Sequence, residues 1–326
     1  MLESQHLGIQ QRLRSLSTSD ADELAMFQSS KNRSYTKLAS GAFHVNYIEV
    51  NLDDVQIFTE NLNVGARIQA APASHYLPFA AIVSEGTQGN FYGCPLPDKP
   101  FIQATGGEWD IQVSNRMQYV CSAFNRERLY TNYYNLTGRE FPQEWLSSRV
   151  TNTSRQALAR YSHGIQRILI LVRLQPTILI YPSITKLLSD AAFNLLMGTL
   201  LPTLELSEDL APFSKRTRGT RKAIEFISEH AHQVPTVPEL CAVAALSERS
   251  LQYGFKELLG VTPIKYLRIV RLNGAHRDLS TCLEKGDPRV VDVALKWGFL
   301  ELGRFAKEYA EFFNELPSET LRHKKW

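Results

Sequence analysis

Several residues of this sequence have side chains that metal centres use, but their spacing does not support a metal site. His44 and His75 each stand alone in the sequence. His230 and His232 are two positions apart, so they do not share a face of a helix. A metal centre needs several ligands that converge on one point. We therefore expect no metal ion in this protein.

The pair Ser183 and Lys186 has the spacing of the first motif of the serine enzymes that act on β-lactams. The other two motifs of those enzymes are absent from the sequence, and Ser183 follows a proline, so helix capping explains it better. The glycines of residues 86–93 lack the spacing of a dinucleotide-binding loop. We expect no cofactor and no catalysis. An enzyme whose barrel does chemistry and whose helical tail tethers it is the remote alternative.

The composition suits two globular domains: the chain has 326 residues, 44% of them hydrophobic and 21% charged. The longest apolar stretch, residues 165–182, is interrupted by Arg167, Arg173 and Pro176, so we expect no membrane span. Residues 1–30 lack the apolar core of a signal peptide. The four cysteines are scattered, without the spacing of a disulfide framework, which indicates a cytoplasmic protein.

Basic residues concentrate toward the C terminus. From residue 214 onward the chain has 19 Lys and Arg against 14 Asp and Glu, whereas the remainder has 17 against 19. The net charge of +3 therefore combines a basic C-terminal part with a slightly acidic N-terminal part. This asymmetry indicates that the C-terminal part meets a polyanion.

The residue pattern changes along the chain from that of strands to that of helices. Residues 42–134 form short runs rich in Val, Ile, Tyr and Phe, which predict an antiparallel barrel or sandwich. Residues 155–201 place apolar side chains three and four positions apart, which predicts two helices. We predict an α+β fold: a β-barrel or cupin-like domain with two helices over residues 1–201, a linker over 202–220, and an all-helical domain over 221–326.

The helical domain contains one short sequence motif twice. SERSLQYGFKELLGVTP, residues 247–263, and ELGRFAKEYAEFFNELP, residues 301–317, share a pattern of apolar positions, although few residues are identical. Both copies predict a helix that ends at a residue suited to a left-handed turn, Gly260 in the first and Asn314 in the second. With the short helix that precedes it, each copy forms a helix-turn-helix.

A helix-turn-helix uses its first helix to brace the second, whose exposed face enters the major groove of DNA. Thr236 and Ser247 have the positions of caps for the two helices of the first unit. Residues 263–279 predict a long helix that joins the units, which would place them in successive major grooves about 34 Å apart. One chain would then read a long site without a partner chain.

The C-terminal third of the chain, residues 221–323, resembles the DNA-binding domain of the AraC/XylS family of transcription regulators. The residues that carry this likeness are Leu251, Phe255, Lys256, Gly260, Pro263, Tyr266, Leu267, Arg271, Leu272, Ala275, Val293, Ala294, Gly298, Phe299, Phe305, Pro317 and Ser318. Gly303 and Cys241 depart from the family pattern, which usually has serine and alanine at these positions. Both are small, so the packing should survive, but Gly303 weakens a helix start and removes a hydroxyl that could donate to phosphate.

The resemblance implies which side chains meet DNA. In the first unit these are Ser247, Arg249, Ser250, Gln252, Tyr253 and Lys256. In the second unit the corresponding positions are Leu302, Gly303, Ala306 and Lys307, with Arg304 nearby. Arginine and glutamine make bidentate contacts to guanine and adenine, whereas leucine, glycine and alanine offer only apolar contact. We therefore expect the first unit to supply most of the base readout, and Lys256 to hold a phosphate.

The N-terminal half loosely resembles the regulators of ethanolamine utilisation, which implies an effector and dimerisation domain. Tyr76, Phe91 and Trp109 are candidates for the lining of an effector site, although ordinary core residues would have the same character. The two predicted helices either pair two chains or cap the barrel. The family implies a homodimer that activates transcription from double-stranded DNA by contacting RNA polymerase. The main alternative is a regulator of virulence or quorum-linked genes that is controlled by its abundance or by partner proteins.

Overall fold

The computed structural model describes residues 9–73, 75–97, 99–147, 149–205, 215–281 and 289–322. The N-terminal half contains two antiparallel sheets. In spatial order, the first consists of β1 (Leu13–Thr18), β3 (Val45–Asn51), β4 (Val55–Leu62), β11 (Met117–Asn125), β6 (Tyr76–Ile82), β9 (Phe101–Ala104) and β12 (Val150–Asn152). The second consists of β2 (Arg33–Lys37), β5 (Ala66–Ala70), β10 (Trp109–Val113), β7 (Gly89–Phe91) and β8 (Cys94–Pro95).

One apolar core lies between the two sheets. Alternate residues of each strand point into it, for example Ile68 on β5 and its partner Ile111 on β10. Phe58 and Tyr119 contribute from the seven-stranded sheet. The predicted α+β class is therefore confirmed, and the β-rich part is built as a pair of sheets with a shared core.

A second core lies on the other side of the seven-stranded sheet, under two long helices. The helices of the N-terminal half are α1 (Ala21–Phe27), α2 (Arg126–Thr137), α3 (Glu144–Ser147), α4 (Arg155–Leu174) and α5 (Pro182–Leu200). The apolar faces of α4 and α5 pack on this sheet, and the Tyr161 hydroxyl donates to the Phe79 carbonyl oxygen at 2.9 Å. Both helices predicted within residues 155–201 are present.

Helix α5 and the turn after it, Pro182–Thr203, are long and apolar enough to cross a membrane by length and composition alone. The sequence pattern did not predict a membrane span here. Half of this window is buried inside the fold, where α5 packs on α4 and the sheet. Core helices of soluble domains have the same character, so this segment is weak evidence for a membrane.

The C-terminal half is helical. Its helices are α6 (Lys215–His230), α7 (Val237–Ala244), α8 (Glu248–Leu259), α9 (Pro263–Thr281), α10 (Val290–Lys296), α11 (Leu302–Phe313) and α12 (Pro317–Arg322). One apolar cluster contains α6, α7, α8 and the first part of α9, and the other contains the rest of α9 with α10, α11 and α12. Helix α9 thus links two small helical units. The sequence also predicts that Asp287 and Pro288 open the helix that precedes the second copy, and both residues lie outside the described part of the chain.

Candidate nucleic-acid interface

The first helix-turn-helix unit consists of α7 and α8. Thr236 and Glu239 form a capping box at the start of α7, in which the Thr236 backbone N–H donates to the Glu239 carboxylate at 2.7 Å. Ser247 caps α8, because its hydroxyl accepts from the Ser250 backbone N–H at 3.3 Å. Gly260 ends α8 with a left-handed φ of 66°. The caps and the turn that the sequence predicts are therefore confirmed.

The two faces of α8 differ sharply in chemistry. Leu251, Phe255, Leu258 and Leu259 are buried in the cluster shared with α6, α7 and α9. The opposite face exposes four of the six predicted contact residues at helical spacing, Arg249, Gln252, Tyr253 and Lys256. Of the other two, the capping Ser247 is exposed and Ser250 is half-buried. The exposed row has the residue types that bind base edges and phosphates.

Neighbouring side chains hold this row in place. The Arg249 guanidinium lies 5.7 Å from the centre of the Tyr253 ring, and Tyr253 is 53% exposed. The Gln252 amide donates to the Glu248 carboxylate at 3.0 Å. The stacking of Arg249 on a ring leaves its planar edge available for a bidentate contact.

The second unit consists of α10 and α11. Phe305, Tyr309 and Phe312 are buried under α11, and Asn314 ends this helix with a left-handed φ of 63°, as predicted. Leu302, Gly303, Arg304 and Lys307 are exposed at the start of α11, and Ala306 is half-buried. The exposed surface of this helix therefore offers less hydrogen-bonding chemistry than that of α8.

The two cations of α11 have carboxylate partners on their own helix. Arg304 pairs with Glu308 at 2.9 Å, and Lys307 lies 3.9 Å from Glu311. Arg268 on α9 also donates to Glu308. Burial would raise the pKa of Glu308, but the hydrogen bonds from Arg268 and Arg304 lower it below its usual value. A phosphate must compete with these carboxylates for Arg304 and Lys307.

Helix α9 fixes the second unit through its middle turns. The Arg271 guanidinium donates to the Trp297 carbonyl oxygen at 2.6 Å and lies 4.3 Å from the centre of the Phe299 ring. The Trp297 ring lies directly on Gly274, where a Cβ atom would come within 2.2 Å of the ring. The Trp297 indole N–H donates to Asp278 at 2.7 Å. Sequence reasoning missed the pairing of Gly274 with Trp297, because 23 positions separate them and no local pattern signals it.

The three candidate effector residues lie in the five-stranded sheet and in β6. A cavity of about 160 Å³ is lined by Tyr76, Trp109, Phe58 and the buried side chain of Arg33, among others. Phe91 does not line this cavity; its ring packs on Trp109 with a centroid distance of 4.7 Å. Arg33 pairs with the fully buried Glu60 at 2.7 Å, and within the described part of the chain Arg33 Nε and Glu60 Oε1 have no hydrogen-bond partner. Sequence reasoning did not single out either residue.

Among the described residues, His, Cys, Asp and Glu form no group that could hold a metal ion. His44 and His75 lie on different strand connections, and His230 donates from Nδ1 to the Phe226 carbonyl oxygen of its own helix at 3.1 Å. Ser183 and Lys186 lie at the exposed start of α5, where Lys186 pairs with Asp190 at 3.4 Å.

Comparison with known proteins agrees with this architecture. A helix-turn-helix domain model matches residues 240–323. The probable thc operon regulatory protein of Rhodococcus erythropolis is 42% identical over 105 residues, which are 31% of this chain and 30% of that protein. XylDLEGF operon transcriptional activator 2 of Pseudomonas putida is 32% identical over 135 residues, which are 41% of this chain and 85% of that protein.

A solved structure, that of a probable AraC family transcriptional regulator from Rhodopseudomonas palustris, is 32% identical and covers 33% of this chain and 98% of that chain, with a TM-score of 0.30. The chain matches less than half the length of the longer curated relatives, 30% of the thc regulator and 41% of another XylDLEGF activator. The likeness of the N-terminal half to regulators of ethanolamine utilisation stays a prediction.

Proposed function

Because the chain belongs to the AraC/XylS family of DNA-binding transcription regulators, we propose that it activates a bacterial operon by binding a site that both of its helix-turn-helix units read. The family consists of regulators, so the protein is not an enzyme. Two curated relatives are named as activators of the XylDLEGF operon, which supports activation as the outcome for this chain. RNA polymerase is then the expected partner at the promoter, and the cytoplasm the expected location.

The exposed row on α8 is the observation that carries the proposal. Arg249, Gln252 and Tyr253 read base edges, and Lys256 binds a phosphate one turn further along the same face. Ser247 and Ser250 add backbone contacts at the start of the helix. In the second unit, Arg304 and Lys307 can bind phosphates only if their ion pairs with Glu308 and Glu311 break. The first unit therefore supplies most of the sequence preference, and the second supplies position.

Capture of genomic DNA tests this proposal directly. The full-length protein is incubated with sheared genomic DNA at physiological salt, and the bound fragments are sequenced. We expect a shared motif that spans about two helical turns per chain. Salt-sensitive capture without a motif would contradict reading by two units and would indicate charge-driven binding alone.

We also propose that the N-terminal half senses a small molecule in the cavity beside Trp109 and Tyr76. A cavity of about 160 Å³ holds a molecule as large as benzene. Arg33 lines this cavity, and its Nε, which has no hydrogen-bond partner among the described residues, offers one donor. A bound effector should raise the melting temperature of the protein, because it binds the folded state alone. A screen of small aromatic compounds without any such shift would favour the alternative, a regulator controlled by abundance or partner proteins.

Dimerisation is proposed through the hairpin of α4 and α5. Its tip exposes large apolar side chains, which are Ile170, Leu171, Leu174, Tyr181 and Leu187. Exposed apolar patches of this kind are typical of interaction surfaces. Sedimentation of wild-type protein and of Leu174→Lys measures the outcome: a dimer that the variant converts to a monomer supports the proposal, and a wild-type monomer contradicts it.

The domain limits remain those proposed from the sequence, 1–201, 202–220 and 221–326. Helix α6 begins at Lys215, inside the proposed linker, and residues 206–214 lie outside the described part of the chain. Limited proteolysis that cleaves within 206–214 would support the boundary.

A further inference from the structure

The outer side of the five-stranded sheet lies against the helical domain and contacts it through polar side chains. Residues 66, 68 and 70 of β5 point into the core between the sheets, so Arg67 points away from that core. On β7, Phe91 points inward and Asn90 points outward for the same reason. Strands β7 and β8 contact α8, and β2 contacts α9. These strands therefore touch the first helix-turn-helix unit and the helix that joins the two units.

Asn90 contacts the C-terminal end of α8. Its amide nitrogen donates to the carbonyl oxygen of Leu258, the second-last residue of that helix. Its amide oxygen accepts from the Gly93 backbone N–H at 3.1 Å, which fixes the orientation of the amide. Gly93 has a left-handed φ of 73°, and a Cβ atom there would lie 3.3 Å from Leu258 Cδ2. The turn after β7 and the end of α8 are thus in direct contact.

Lys37 contacts α11 from the edge strand β2, on the core side of the sheet, because its cross-strand partner Ala66 points into the core. It is the last residue of β2 and is 2% exposed. Its ammonium group donates to the carbonyl oxygen of Phe312, in the last turn of α11, and lies 4.8 Å from the centre of the Phe312 ring. Its backbone N–H and carbonyl oxygen bond the side chain of Asn273 on α9, at 3.2 and 3.1 Å. Lys37 therefore ties β2 to the second unit at two points.

A third contact lies between the other two. Arg67 forms a two-bond ion pair with Asp110 of the neighbouring strand, at 3.0 and 2.9 Å. The same guanidinium donates to the Tyr266 hydroxyl on α9 at 2.9 Å and is 4% exposed. One sheet thus holds the start of α9 through Arg67 and the middle of α9 through the backbone of Lys37.

The physical chemistry of helix ends explains why these positions matter. The last four carbonyl groups of a helix have no partner within the helix and carry the negative end of its dipole. A donor amide or an ammonium group at that end is therefore favourable, and it fixes the helix end relative to the donor. Helices α8 and α11 are the two DNA-facing helices, and both receive such a donor from the same sheet.

We propose that Asn90 and Lys37 are positioning residues for DNA recognition. By holding the C-terminal ends of α8 and α11 on one sheet, they fix the distance and angle between the two DNA-facing helices. They thereby set the spacing of the two half-sites that one chain accepts. This inference rests on the proposed reading of DNA by both units.

Binding to duplexes of altered half-site spacing tests the inference. One probe carries both half-sites of the captured motif, a second carries one inserted base pair between them, and a third carries the first half-site alone. An inserted pair moves the second half-site by about 3.4 Å and by about 35° around the duplex. We expect wild-type protein to lose affinity at least about tenfold on insertion, the size of one lost base contact.

The double variant Lys37→Met, Asn90→Leu keeps side-chain volume and removes both donors. When one base pair is inserted, the double variant should lose less than about threefold in affinity, which is less than the cost of one lost base contact. The reason is that its second unit can follow the displaced half-site. Its affinity for the single half-site should equal that of wild type. Arg277→Gln is the control: it removes one positive charge, as Lys37→Met does, and it breaks a 3.1 Å ion pair between α9 and Asp22 that touches neither helix end. The control should discriminate between spacings as wild type does.

The possible results distinguish a failure of the positioning role from a failure of DNA reading by both units. Equal spacing discrimination by wild type and the double variant overturns the positioning role. Tighter binding of the double variant to every probe also overturns it, because the contacts would then restrain DNA binding. A wild type that ignores spacing refutes reading by two units, and the positioning role with it. If the double variant does not melt cooperatively, the single variant Lys37→Met replaces it, since this change removes one of the two donors without touching the turn after β7.

Discussion

At the scale of single residues, we expect different side chains on the exposed face of α8 to read bases and to bind phosphates. Arg249 stacks on Tyr253 near the start of the helix, where a guanidinium reaches a base edge. Replacing it, Arg249→Ala, should relax preference at one base pair, at a cost of about 1–3 kcal/mol for the best sequence. Binding to a set of operators with single substitutions measures this. Unchanged preference at every position would mean that α8 meets the groove through another face.

Lys256 lies on the same face, about two turns beyond Arg249, and we expect it to bind a phosphate. Lys256→Ala should weaken binding to all sequences alike and lower the slope of log K against log salt by about 0.9, the value for one phosphate contact on duplex DNA. Titrations at several salt concentrations give this slope. Lys186→Ala is the control, because it removes an exposed charge from α5, away from the helical domain. An equal slope change in the control would assign the effect to overall charge.

At the scale of elements, the close packing of Trp297 on Gly274 sets how the second unit sits on α9. A methyl group at position 274 would overlap the ring, with a Cβ only 2.2 Å from it. Gly274→Ala should therefore destabilise the protein by about 1–3 kcal/mol, the usual cost of overpacking. Thermal or denaturant unfolding measures the change.

Gly303 is the matched comparison for Gly274, because we expect an alanine there to have the opposite effect on stability. It lies in the first turn of α11, and a Cβ atom there meets no heavy atom within 4 Å. Gly303→Ala should therefore stabilise the protein, by up to about 1 kcal/mol, through the better helix propensity of alanine. Destabilisation by both substitutions would show that the packing at position 274 is not the cause of the first effect.

At the scale of the whole molecule, Lys37 makes the contact between the domains depend on pH. Burial lowers the pKa of Lys37 to about 8, and Glu315 opposes this shift. The unfolded chain keeps the lysine proton up to its ordinary pKa, so between about pH 8 and 10.5 it binds more protons than the folded chain. The free energy of unfolding of wild type should therefore rise with pH relative to that of Lys37→Met across this interval. Below about pH 8 the difference between the two proteins should stay constant.

Unfolding of wild type and Lys37→Met at pH 7, 8, 9 and 10 measures this difference. Asp22, His276, Arg277 and Glu315 lie around Lys37 and are present in both proteins, so the comparison isolates the lysine. Tyrosines and cysteines titrate in both proteins and cancel in the comparison. A constant difference from pH 7 to 10 would mean that Lys37 keeps an ordinary pKa in the fold.

The sequence predicts the elements that local signals determine. The capping box at Thr236 and the left-handed residues Gly260 and Asn314 each depend on neighbours within four positions, and all three are confirmed. The exposed row on α8 follows from the same helical period. Signals of this kind are readable in one sequence because cause and effect lie within one turn.

The sequence does not predict features that depend on distant partners. Residues before position 40 look too polar for a core, yet Arg33 and Lys37 are buried there. Arg33 meets Glu60, and Lys37 meets a carbonyl oxygen of α11, 275 positions away. Burial of a charge is stable only with such partners, and no periodicity in the sequence announces them.

The acceptors of Asn90 and Lys37 have a consequence for how this regulator can change. Both are main-chain oxygens, which every amino acid carries, so the residue types at positions 258 and 312 can vary without removing the contacts. The exposed side chains of α8 or α11 could therefore be replaced by those of a relative with another operator, and the helix would still pack on the same sheet. We therefore expect the base preference of α8 and α11 to be separable from the half-site spacing that the sheet sets. A change of the first would leave the second as it is.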